Sequence, residues 1–146
     1  MNLSKRTQYG LRALICLADA YERGYLQTRE LASREQLPTK FLESILSALT
    51  RGKFLVSKIG ATGGYRLARH PKDILIGDII SRLEGKKLME DQHPPSSRSA
   101  ERPGELAVRL MQMKLSSALR EVLSATSLAN LAEQVSQQSG GQMYYI

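Results

Sequence analysis

The sequence predicts a mainly α-helical fold with one small β-hairpin, and three observations carry that reading. Apolar residues recur at helical spacing through residues 5–22, 38–51 and 76–84. A Gly-rich turn, Gly60-Ala61-Thr62-Gly63-Gly64, separates two short strand-like runs. From Glu105 to Ser139 there are 35 residues without Gly or Pro, enough for a long helix and a shorter one after it.

The first helix, over 5–22, gathers Leu11, Leu14, Ile15, Leu17 and Ala18 on one side, with Tyr9 and Tyr21 near its ends. Arg12 and Asp19 lie opposite, and Gly24 is the expected stop. Thr28 is placed to cap a short helix running to about Glu35. Glu30 sits in its first turn, where the helix dipole favours a carboxylate. Gln36-Leu37 make the turn, and Pro38 is pre-set for the first position of the next helix. That helix, over 38–51, puts Phe41, Leu42, Ile45, Leu46 and Leu49 in one stripe. Thr39, Lys40, Glu43, Ser44 and Ser47 face the other way, and Gly52 ends the element. Two short helices, a tight turn between them and a polar outer face on the second are the layout of a helix-turn-helix.

Residues 54–59 read as a strand and 65–68 as its return. A hairpin directly after the second motif helix is a wing. Gly60 and Gly63 at its tip allow close backbone approach to a phosphate, and Lys58, Arg66 and Arg69 supply charge nearby. Ile76, Ile79, Ile80 and Leu83 mark a fourth helix over 76–84. Residues 85–103 are rich in Pro, Ser and charge and read as a flexible loop. Beyond it, residues 105–124 would span about 30 Å as one helix. Ser124-Ala125-Thr126-Ser127 break it, and Leu128, Leu131, Ala132 and Val135 mark a last helix. The division expected is a winged helix-turn-helix over 1–84, a loop over 85–104, and a dimerisation helix with a C-terminal helix over 105–146. A long amphipathic helix outside a compact domain needs a cover for its apolar stripe. A second copy of the chain is the simplest cover, with Leu106, Leu110, Met113, Leu119 and Val122 at the interface. Packing against residues 5–22 alone is the alternative.

Composition bounds the function. The 146 residues make one domain or a domain with an appendage, 42% hydrophobic but without Trp. One Cys excludes an internal disulfide framework. No apolar run approaches the roughly 18 residues of a membrane span, and the N-terminus lacks a secretory pattern, so a cytoplasmic protein is expected. The formal net charge is +7. Residues 1–70 hold 12 Lys and Arg against 5 Asp and Glu, whereas residues 71–146 hold 9 of each, so the whole excess sits in the first half. A basic half joined to a neutral half points to a polyanion-binding module with a second segment doing other work. No nucleophile–base pair, metal-ligand spacing or phosphate-cradling loop points to an enzyme.

Several stretches together carry a family resemblance. They are Leu3-Ser4-Lys5 with Tyr9-Gly10-Leu11, Phe41-Leu42-Glu43 with Ile45-Leu46, and Gly60 with Gly63-Gly64-Tyr65-Arg66-Leu67. Ile76-Gly77-Asp78-Ile79-Ile80 with Leu83-Glu84-Gly85, and Ser127-Leu128-Ala129-Asn130-Leu131, complete the set. The chain resembles the IscR/NsrR/CymR family of bacterial regulators, the Rrf-two type. The resemblance implies a homodimer on a roughly palindromic operator, acting as a repressor or activator. Glu43 would then accept from cytosine N4; the plainer reading of Glu43 is an ion pair with Lys40. Thr28 and Arg29 resemble a phosphate-binding helix start, and Lys5 and Arg6 would reach the backbone beside the groove. Gly64 and Tyr65 are read as shaping the hairpin.

Two departures stand out. Cluster-bearing members place several cysteines in the loop before the long helix; here 85–103 has none, so no iron–sulfur cluster, metal or other cofactor is expected. Members usually carry Arg just before the first wing glycine, where this chain has Ile59. Either Lys58 supplies that phosphate contact instead or the wing holds DNA more weakly. The terminal Met143-Tyr144-Tyr145-Ile146 is similar to cluster-free members of the cysteine-metabolism kind, which implies a link to sulfur assimilation. The partners implied are double-stranded DNA, a second copy, and a regulatory protein or small-molecule effector, with no membrane. Cys16, on an apolar helical face, is read as a buried structural thiol, and His70 and His93 as turn and loop residues. The competing function is a protein-interaction module that uses the winged domain as a docking surface.

Overall fold

The computed structural model describes residues 2–85 and 101–140. Over these the chain forms six α-helices, one 3-10 turn and a two-stranded antiparallel hairpin. This is the predicted mainly α fold, a winged helix-turn-helix followed by a long helix.

Helix α1 spans Lys5–Asp19. The Ser4 hydroxyl accepts from the Thr7 N–H at 3.2 Å, and the Glu84 carboxylate accepts from the Ser4 N–H at 2.8 Å, so two orphan donors at the helix start are satisfied. The helix stops short of the predicted residue 22, because Glu22 (φ +75°) and Gly24 (φ +100°) take left-handed conformations that no helix continues. Ala13, Leu14 and Leu17 are buried, and α1 lies against the helices that follow.

Helices α2 (Thr28–Glu35) and α3 (Thr39–Arg51) form the motif. Both starts differ by one position from expectation. Gln27, extended at φ −76°, holds the cap position of α2, and Thr28 is already helical. Pro38 caps α3 instead of opening it, with ψ 122° outside the helical range. Gln36, left-handed at φ 53°, reverses the chain between them. In α3, Leu42, Ile45, Leu46 and Leu49 are wholly buried. Each such side chain contributes about 1.5–3 kcal/mol of transfer free energy. That fixes the rotation of α3 and turns its polar side outward. Phe41, placed in the apolar stripe by its spacing, sits at the edge of the core at 38% exposure, its ring edge-on to Tyr9 at 5.5 Å.

The hairpin pairs β1 (Leu55–Lys58) with β2 (Gly64–Leu67), running from Leu55↔Leu67 at its base to Lys58↔Gly64 near the tip. Leu55 and Leu67 anchor the base in the core. A second attachment lies further out: Leu26 and Tyr65 exchange backbone hydrogen bonds of 2.9 and 2.8 Å. Gly64 makes that approach possible, since a Cβ there would stand 2.3 Å from the Leu26 carbonyl oxygen.

A 3-10 turn at Pro71–Asp73, which no spacing announced, leads into α4 (Ile76–Glu84). Ile76, Ile79, Ile80 and Leu83 are buried as predicted. Most of the predicted flexible loop, 86–100, lies outside the described residues, as do Met143–Ile146. Helix α5 (Pro103–Ala125) starts earlier than residue 105. Pro103 loses nothing by lacking an N–H in the first turn, and the Arg102 N–H donates to Glu105 Oε2 at 3.3 Å. Among the described residues, only the C-terminal part of α5 packs against the body of the chain. Leu123 is buried, and Gly77 of α4 admits it; a Cβ there would lie 2.9 Å from that of Leu123.

The turn into α6 (Leu128–Ser139) is clasped to the start of α4: the Ile76 N–H donates to Thr126 O at 2.9 Å and the Leu128 N–H to Ile74 O at 2.7 Å. Ser127 and Asn130 cap α6 reciprocally. α6 returns to α1, and Leu123 and Leu128 belong to the same core cluster as the helices of the motif.

Candidate nucleic-acid interface

The outward face of α3 is built as the sequence predicts. Thr39, Lys40, Glu43, Ser44 and Ser47 are all exposed, three and four residues apart on one side. Glu43 makes no ion pair with Lys40; ion pairs form elsewhere, at Arg12–Glu35 and Arg109–Glu101. The face therefore offers one pure acceptor in Glu43, one pure donor in Lys40 and three hydroxyls that do either. The start of α1 meets this face: Arg6 Nη1 donates to Ser44 Oγ at 3.4 Å, and Lys5 is exposed beside it in sequence. At the other end of α3, Arg82 of α4 donates from Nε to the Ala48 carbonyl at 2.9 Å.

Thr28 and Arg29 stand in the first turn of α2, Thr28 partly buried and Arg29 exposed. The wing lies next to them because Gln27 Nε2 donates to Ala61 O at 2.9 Å. On the wing, Arg66 and Lys58 both sit over the Tyr25 ring, at 4.9 and 5.7 Å from its centroid. One aromatic ring thus holds both cations in place. Gly60 is exposed with φ +116°. Gly63 does not face outward: it is buried, its N–H donates to Gly60 O at 3.0 Å, and a Cβ would stand 2.1 Å from Lys58 O. Its place in the fold is to shape the turn. Arg69 is tied to Lys53 O and Asp73 O, bracing the base of the hairpin. Sequence reading missed Gln27, Tyr25 and Arg82. Their roles depend on neighbours 33 or more residues away, and no local signal in the sequence marked them.

On α5, Leu106, Val108, Leu110, Met111, Met113, Leu115 and Val122 are 37–62% exposed. Among the expected interface residues, Leu106, Leu110, Met113 and Val122 are open, whereas Leu119 is half-buried against the chain's own core. Helical spacing sorts the open residues into two stripes. Leu106, Leu110 and Met113 share one side; Val108, Met111, Leu115 and Val122 repeat at alternating steps of three, four and seven on the other. Arg109, between them, pairs with Glu101 at 2.8 Å.

Cys16 is half-buried on α1, and burial raises its pKa, with Glu35 adding to the shift. No group of three or more His, Cys, Asp or Glu among the described residues is placed to hold a metal ion. No described helix is long and apolar enough to cross a membrane.

An exposed polar helix, a cationic wing and a braced core define a winged-helix regulator of transcription. The chain belongs to the Rrf2 family, described as iron-dependent transcriptional regulators, whose model matches residues 3–134. It is 31% identical to the HTH-type transcriptional regulator CymR of Bacillus subtilis over the full length of both chains. Its similarity to Protein rrf2 of Nitratidesulfovibrio vulgaris is 33% over 58% of this chain and 56% of that protein. The solved structure of CymR, the global cysteine regulator of B. subtilis, superposes with a TM-score of 0.79 at 31% identity, covering 92% of this chain and 98% of that one. The IscR of T. potens follows with a TM-score of 0.77 at 28% identity, covering 99% and 97%. These relatives are transcription regulators and not enzymes. The donor set here does not fit an iron–sulfur cluster. Such clusters are held by several thiolates, and this chain has a single Cys, half-buried on α1.

Proposed function

We propose that this regulator binds double-stranded DNA in a sequence-specific manner as a homodimer, placing α3 of each copy in a major groove and each wing beside the flanking minor groove. The observation that carries the reading is the outward face of α3, where Thr39, Lys40, Glu43, Ser44 and Ser47 are all exposed and where Lys40 and Glu43 make no ion pair among the described residues, in a domain that also exposes Lys5, Arg29, Lys58, Gly60 and Arg66 and leaves Thr28 partly exposed. Lys and Arg take phosphates, which set register; Glu43 reads a cytosine amino group. The open stripes of α5 supply the second copy's seat, with Leu106, Leu110, Met113 and Val122 in it and Leu119 at its margin. Such a protein acts in the cytoplasm, where the bacterial chromosome lies. Full-length similarity to a global cysteine regulator supports a repressor linked to cysteine or sulfur metabolism. A regulatory protein or a small molecule replaces a cluster as the signal. For a small molecule, the cleft of about 470 Å³ between α1 and α6, lined by Ile15, Tyr21, His70 and Glu133, has ligand-sized volume.

The test is selection of bound duplexes from a random pool, followed by anisotropy titrations across salt. A palindromic consensus and a steep salt slope are expected. Failure to bind any duplex at micromolar protein and low salt would leave the winged domain as a protein-docking module. Glu43→Ala should relax preference at one base pair per half-site while preserving nonspecific affinity; an unaltered consensus removes Glu43 from base reading.

A further inference from the structure

Ile59, at the wing tip, is 98% exposed, far beyond any other large apolar side chain among the described residues. Packing among the described residues gives no reason for it, since β1 ends at Lys58 and a Cβ built on the following Gly60 would meet nothing within 4 Å. The tip is nevertheless held still. The Gly63 N–H closes the turn on Gly60 O at 3.0 Å, and Gln27 fastens Ala61 to the start of α2 at 2.9 Å. Leu26 and Tyr65 lock the returning strand. Residues 60–64 are Gly, Ala, Thr, Gly and Gly, so the tip is slender and Ile59 is its one bulky projection. Lys58 precedes it and Arg66 shares the Tyr25 ring with Lys58.

A stiff, β-branched apolar point flanked by fixed cations suits a narrow anionic groove: the cations meet phosphates on the rims and the apolar point meets the floor. We propose that Ile59 is an apolar minor-groove reader that selects A·T over G·C pairs at the flanks of the operator. This rests on the DNA-binding function proposed above. An A·T pair presents only acceptors in the minor groove, whereas G·C adds the guanine N2 amino group. Ile59 over A·T displaces groove water from a narrow, shallowly functionalised floor. Over G·C it strips the amino donor of its water partner and offers no acceptor in return. The contact carries no charge, releases no counterion, and so contributes equally at low and high salt.

The experiment uses the full chain and duplexes from the random-pool selection, with each flanking pair made A·T, G·C or inosine·C. Inosine·C keeps the major-groove face of G·C but lacks the minor-groove amino group. Wild type should bind A·T and inosine·C flanks alike and G·C flanks about tenfold more weakly, the scale of one buried aliphatic side chain. Ile59→Ser should abolish that discrimination and leave the salt slope unchanged. Ile59→Arg should steepen the slope by about one phosphate contact. Inosine·C behaving as G·C, or discrimination surviving in Ile59→Ser, overturns the proposal while DNA binding stands. Wild type binding no duplex overturns both.

Discussion

Replacing Gly64 by Ala tests how the wing is attached, and Gly60→Ala supplies the matched control. Both glycines sit at positive φ, +131° for Gly64 and +116° for Gly60. A side chain at such a φ costs about 1–3 kcal/mol in either place. The surroundings differ. Around Gly60 a Cβ meets nothing within 4 Å, whereas at Gly64 it would lie 2.3 Å from Leu26 O, 2.5 Å from Leu26 C and 2.9 Å from Gln27 N. All three are main-chain atoms and cannot rotate aside. Relief therefore requires separating Leu26 from Tyr65, which breaks two backbone hydrogen bonds worth about 1 kcal/mol each. Gly64→Ala should thus be less stable than Gly60→Ala by about 2 kcal/mol. At about 3 °C per kcal/mol for a chain of this size, its Tm should fall some 6 °C further. Differential scanning calorimetry of the two variants and the wild type decides the point. Equal melting temperatures would mean that the wing does not lie this close to residue 26.

Other outcomes follow from the same geometry. Changing Leu110 and Met113 together to Asp should yield monomers in sedimentation analysis; a persistent dimer removes that stripe from the interface, and the pair Val108→Asp and Leu115→Asp reports on the opposite one. Hydrogen bonds from the Ser4 and Thr7 hydroxyls and the Ser4 N–H hold the Glu84 carboxyl below its ordinary pKa. A depressed carboxylate stabilises the fold above its unfolded value and loses that contribution as pH falls through its folded one. Glu84→Gln should therefore melt slightly below wild type at pH 7, and the gap should close as pH drops below about 4; a gap independent of pH refutes the link. Cys16, half-buried with a raised pKa, should alkylate slowly at pH 8 in the native protein and rapidly in denaturant. Rapid native labelling would contradict its place on α1.

Periodicity revealed most of the fold because α3 and α4 bury their apolar faces in one direction. Leu42, Ile45, Leu46 and Leu49, and Ile76, Ile79, Ile80 and Leu83, were all legible as core. Helix ends were less legible, since Gln27 and Pro38 hold cap positions by backbone conformation without the usual side-chain bond. The outward face of α3 was readable as the complement of a buried stripe. The architecture behind it was not. Gln27 to Ala61, Arg82 to Ala48 and Tyr25 beneath two cations are side-chain meetings across long separations, and no local pattern encodes them. Gly77 stood out in the sequence as part of a motif, but only its distance from Leu123 shows why an alanine would not serve.

The clasp between Ile74, Ile76 and the turn at 126–128 has a practical consequence for dissecting the molecule. A nick in the backbone between residues 85 and 101 leaves two pieces that still share an interior, because Leu123 and Leu128 remain wedged among the residues of α1 and α4. A protein shortened after residue 84 is another matter: it arrives without part of its own filling, and the flank of α1 that α6 shelters meets water. Removing the tail and nicking the chain are thus different injuries: the first uncovers the interior, and the second leaves it filled.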